Sequence, residues 1–124
     1  MAFVFDPSEQ GLRKVMRDYQ EFALRYLWGE KRDGATSKTV WDRVNDNLGD
    51  RTISRASVIF FLDRMVDEGV LGYSDETGKG GHHRVYTPRM SELEYRKHLV
   101  RTIFESLKRD FPRETEEVLR EYIG

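Results

Sequence analysis

The sequence predicts a mainly α domain of the α+β class, and three observations predict it. Two short amphipathic stretches, 37–48 and 54–68, each open on a good capping residue and are followed by a glycine. Two β-prone runs, 70–74 and 82–87, come next and flank a loop that holds three glycines. From Ser91 onward helical periodicity returns. At 124 residues the chain can form a core without cross-links. It has no cysteine, which excludes disulfides and thiolate chemistry.

Taken in order, residues 1–7 read as an arm ending at Pro7, and Ser8 is positioned to cap a first helix from about Glu9 to Lys31. Leu12, Val15, Met16, Tyr19, Phe22, Ala23, Tyr26 and Leu27 supply its helical spacing, and Asp33-Gly34 breaks it. Thr36 or Ser37 caps the second helix, lined by Val40, Trp41, Val44 and Leu48 and closed by Gly49. After the connector 50–53, Ser54 caps the third helix, where Val58, Phe61, Leu62, Met65 and Val66 form one apolar stripe ending before Gly69. Its opposite face carries Ala56, Ser57, Phe60, Asp63, Arg64 and Asp67.

Two short helices joined by a tight turn make the helix-turn-helix pattern. The strand at 70–74, the loop 75–81 and the return strand 82–87, ended by Pro88, add a two-stranded β-wing. The expected fold is therefore a winged helix-turn-helix followed by C-terminal helices. Ser91 and Glu94 have the spacing of a capping box. Leu99, Val100, Ile103, Phe104, Leu107 and Phe111 then form a stripe that Pro112 interrupts. A last helix, about 113–123, carries Val118, Leu119, Tyr122 and Ile123 on one side. So much apolar surface needs cover from the first helix, from a partner chain, or from both. The natural division is a DNA-binding domain over 1–90 and a helical dimerisation segment over 91–124.

Net charge is −1, from 21 basic and 22 acidic residues, so the whole chain is no polycation of the kind that neutralises phosphate non-specifically. The distribution is uneven. Residues 78–101 hold six lysines and arginines against two glutamates, residues 102–124 hold four basic against six acidic residues, and residues 65–77 hold four acidic residues alone. A nucleic-acid face is therefore local if it exists.

Helix-turn-helix proteins reach base edges with the start of the third helix, which brings Ser54, Arg55 and Ser57 forward as DNA-binding candidates. Arg55 contacts phosphate or base, or forms a surface ion pair. Arg64 has a phosphate or an intramolecular partner. Lys38 and Thr39 open the second helix, whose free amides can hold a phosphate; a solvated Lys38 is the alternative. Lys79 on the wing loop and His82 and Arg84 on the return strand suit backbone or minor-groove contact. Phe60 has three readings: it touches a thymine methyl, packs on a partner protein, or lies under the chain's own wing or arm. Asp63 would repel phosphate and accept only from a cytosine amine.

His82 and His83 are adjacent and point to opposite faces of a strand, so they do not share a metal ion. No metal, no cofactor and no catalytic constellation is expected, and the 78–81 loop lacks the context of a phosphate loop. No signal peptide and no apolar run of membrane-spanning length is visible, so a cytoplasmic location away from membranes is expected.

These pieces resemble the penicillinase-repressor family (the BlaI/MecI/CopY type) and, more loosely, MarR-type regulators. The resemblance rests on Leu-Arg-Tyr-Leu-Trp28, Ala-Thr-Ser-Lys-Thr-Val-Trp41, Ser54-Arg-Ala-Ser-Val58, Leu-Asp-Arg-Met-Val-Asp-Glu-Gly-Val-Leu71 and Arg-Val-Tyr-Thr-Pro88. It covers about residues 12–107. It implies a repressor that binds a palindromic operator in double-stranded DNA as a homodimer. The dimer would be joined through Leu99, Val100, Ile103, Phe104, Leu107, Phe111, Leu119 and Tyr122. The chain departs from the family at Ile59, Phe60 and Asp63, where threonine, glutamine or lysine usually faces the groove. A protein-interaction module built on the same fold is the competing expectation, motivated by near-neutral charge and an outward Phe60.

Overall fold

The architecture is given by a computed structural model that describes residues 3–78 and 81–124. A 3-10 helix, Gly11–Lys14, precedes α1 (Asp18–Gly29). Then come β1 (Ala35–Thr36), α2 (Ser37–Leu48), α3 (Arg55–Asp67), β2 (Leu71–Gly78), β3 (Gly81–Pro88), α4 (Glu92–Asp110) and α5 (Pro112–Ile123). This is the mainly α winged helix that the sequence predicts, with two additions and one break.

The break divides the expected 9–31 helix. Gly11 adopts φ +58°, a left-handed conformation that a helix cannot run through. Ser8 caps nothing: its amide and hydroxyl both bond the Asp6 carboxylate, at 2.9 and 2.6 Å. α1 begins only after Arg17, which has extended backbone and whose amide donates to Gln20 Oε1 at 2.8 Å.

The first addition is β1, which pairs antiparallel with β3 and makes a three-stranded sheet of order β1-β3-β2. Gly34 makes the approach possible. It has φ +115°, and a Cβ there would lie 2.5 Å from Val85 Cγ1 and 2.8 Å from Thr87 Cγ2. The second addition is hairpin length. Asp75, Glu76 and Thr77, expected in the loop, pair in register with Arg84, His83 and His82. Opposite charges facing across the strands favour this pairing.

The chain divides into two compact units, residues 1–90 and 91–124. In the first, α1, α2, α3 and the sheet enclose Leu24, Leu27, Val40, Val58, Phe61 and Leu62, all essentially buried. Tyr19 meets Phe61 edge-on, with ring centroids 6.5 Å apart. The Trp28 indole donates to the Met90 carbonyl at 2.9 Å. Arg51 in the α2–α3 connector reaches Asp18 at 2.5 Å, and its guanidinium holds that carboxyl below the usual range. In the second unit α4 starts with the expected capping box of Ser91 and Glu94. α5 starts at Pro112, where the missing amide costs no helical bond. No helix among the described residues is long and apolar enough to cross a membrane.

Candidate nucleic-acid interface

The turn between α2 and α3 is held by side chains of α2. Asn45 pairs with the backbone of Ile53 in both directions: it accepts from the Ile53 amide at 2.8 Å and donates to its carbonyl at 3.3 Å. The Trp41 indole donates to the same carbonyl at 2.8 Å. Ile53 immediately precedes the α3 cap, so these bonds fix where α3 starts. Ser54 then caps it, accepting from the Ser57 amide at 3.1 Å, and the two hydroxyls pair at 2.9 Å. The sequence places Trp41 only on the apolar face of the second helix, and Asn45 does not stand out in it, because an Asn-to-backbone clamp has no periodicity to reveal it.

The start of α2 lies alongside. Thr36 accepts from the Thr39 amide at 3.2 Å. Lys38 is exposed and pairs with Asp42 one turn on, at 3.0 Å. Arg55 is exposed and reaches the Ser37 hydroxyl at 3.4 Å. Together with Thr36, Ile59, Asp63, His82, His83, Arg84 and Tyr86, these two residues border a groove of about 330 Å³ between α3 and the wing. His82 and His83 both border it, although they alternate along the strand.

α3 is buckled to the wing by Asp63. Its Oδ1 accepts from the Tyr86 hydroxyl at 2.6 Å and from Arg84 Nη1 at 3.2 Å. The Arg84 guanidinium also lies 4.1 Å from the centre of the Tyr73 ring. Burial, and then the bond to Asp63, pushes the Tyr86 hydroxyl up to about 12. Asp63 is therefore a structural acceptor with its partners in the chain, rather than an acid awaiting a cytosine amine. Arg84 is held in the same cluster.

Arg64 is also engaged internally. Its guanidinium sits 5.5 Å from the Phe61 ring centre, and its Nε is buried with no hydrogen-bond partner among the described residues. That favours the intramolecular reading over a phosphate contact. Phe60 is 71% exposed, so the described wing and arm leave it uncovered. Lys79 lies outside the described residues. Among the described residues no group of three His, Asp or Glu side chains is arranged to hold a metal ion.

In residues 91–124 the expected dimerisation side chains divide. Leu99 is only 8% exposed and so is covered within one chain. Ile103, Phe104 and Leu119 are half-buried. Val100, Leu107, Phe111 and Tyr122 are exposed, as are Leu93, Val118 and Ile123, and α5 buries no residue.

A family model described as penicillinase repressor matches residues 18–122, which takes in α1 through almost all of α5. No curated protein and no solved structure matches the chain.

Proposed function

The chain belongs to the penicillinase repressor family, a family of DNA-binding transcriptional repressors, and from that membership we propose that it acts as a homodimer on a specific palindromic operator. Each α3 enters a major groove, and the two copies lie about 34 Å apart, one helical turn of DNA. Ser54, Ala56, Ser57 and Phe60 face the bases. Lys38, Thr39 and the free amides of α2, with Arg55, Lys79 and His82, meet the phosphates. Arg84 serves by holding the wing against α3. Residues 91–124 join the copies through Val100, Ile103, Phe104, Leu107, Phe111, Leu119 and Tyr122.

One observation carries this reading: the capped start of α3 is exposed between the α2 N-terminus and the wing, with its turn fixed by Asn45 and Trp41. The test is selection of bound duplexes from a random library by the purified protein. A palindromic consensus with half-sites one turn apart supports the proposal, and recovery of unenriched sequence refutes it.

The exposed Phe60 also favours a second reading, docking of a partner protein without specific DNA binding. Retention on DNA at low salt separates the two. The operator reading needs retention, and the docking reading needs its absence together with a partner lost in Phe60→Ser.

A further inference from the structure

We propose that α3 reads its operator through the methyl groups of thymine, with Phe60 as the reading side chain and Ala56 as the small residue that lets it approach. This rests on the operator-binding reading above and adds the chemistry of base recognition.

The polar side chains on the outward face of α3 are largely engaged within the chain. Ser54 and Ser57 pair with each other. The Asp63 carboxylate is bonded to Tyr86 and Arg84. The Arg64 guanidinium lies over Phe61. Asp67 closes the helix, three turns from the cap and away from the end that meets base edges. Arg55 lies about 140° around the helix from Phe60 at 100° per residue, on the side of the groove it shares with Ser37 and the wing. Within the first two turns the outward side chains that remain are Ala56 and Phe60.

An apolar surface in the major groove has one natural counterpart. The base edges there are donors and acceptors, except for the C5-methyl of thymine. A 71% exposed phenyl ring in the second turn of the inserted helix removes the most apolar area from water against such a methyl. Against a G·C pair, which lacks that methyl, the same ring covers polar edges without bonding them, which is unfavourable. The selectivity is therefore for T at one or two positions per half-site. A pattern dominated by Arg–guanine contacts is not expected.

The test uses the full chain and the duplex selected from the random library. Each thymine is replaced in turn by deoxyuridine, which keeps the pairing and removes only the methyl. Binding is measured for the wild type and for Phe60→Ala, whose exposed site leaves the fold intact by circular dichroism. The expected result is weakening of about fourfold per critical methyl for the wild type, the equivalent of one buried methyl-sized group. The same replacement should leave Phe60→Ala unaffected. Wild-type binding that is indifferent to every deoxyuridine overturns the inference and leaves operator binding standing. Sensitivity that persists in Phe60→Ala overturns the role of Phe60. A library that yields no enriched duplex removes the operator reading and the inference together.

Discussion

In residues 1–90 most apolar side chains turn inward, with Phe60 and Val4 the main exceptions: Leu24, Leu27, Val40, Val58 and Leu62 have essentially no exposure, and even the tyrosine hydroxyl at 86 has a partner in Asp63. In residues 91–124 the same kinds of side chain turn outward: Val100, Leu107, Phe111, Val118, Tyr122 and Ile123 are exposed, and α5 buries none of its residues. A 12-residue helix of this kind draws little stability from its backbone alone. The first unit thus closes a core of its own, whereas the second leaves an apolar face exposed. This contrast motivates the proposed division between a reading unit and a joining unit.

The contrast can be broken or sharpened by substitution. The largest effect is expected at Leu62→Ala, which opens a cavity in the closed core and lowers unfolding free energy by about 3 to 4 kcal/mol, measured by denaturant titration. Next comes Leu107→Glu combined with Phe111→Glu. Thermal midpoints that rise with protein concentration in the wild type should become independent of it. Operator affinity should fall by about 100-fold as the two reading helices lose their tether. An unchanged mass in solution for this variant places the joining surface elsewhere.

Tyr86→Phe tests the polar closure of the first unit. Loss of a hydrogen bond to a carboxylate should cost about 2 kcal/mol. It should also remove an alkaline transition. The Tyr86 hydroxyl is raised from its ordinary value of 10 to about 12 in the folded chain. Its contribution is therefore fully present below pH 10 and lost as pH rises through 12, and a melt series across that range reads it in the wild type. Smaller still is Ser54→Ala, expected to cost about 1 kcal/mol through loss of the α3 cap. Lys38→Ala should leave stability within about 0.5 kcal/mol, because its ion pair with Asp42 is exposed, while reducing the salt dependence of DNA binding.

The sequence showed clearly those features whose causes lie within a few residues. Ser54 and Gly69 bracket α3, and Ser91 with Glu94 starts α4, because caps and stops are local chemistry. β1 was hidden because its two residues are strand only by virtue of Tyr86 and Val85, some 50 positions away. The split before α1 was masked by Leu12, Val15 and Met16, which keep an apolar rhythm across it because all three pack into the same core. The candidate interface was legible in outline, through the capped helix and the wing that follows it. The state of its charges was not. Asp63 and Tyr86 stand 23 residues apart, and nothing in their spacing reveals that one bonds the other. For the same reason Arg84 reads as a contact to DNA and Arg64 keeps two readings, although one is held by Asp63 and Tyr73 and the other lies on Phe61.

The division of labour between the two units is tested most directly by native mass measurement during titration of the selected duplex with the full chain. The account predicts that complexes carrying two chains form from the first addition, with no appreciable one-chain complex, because the copies arrive already joined. A one-chain complex that is well populated at intermediate ratios, and fills before the second chain binds, would contradict it.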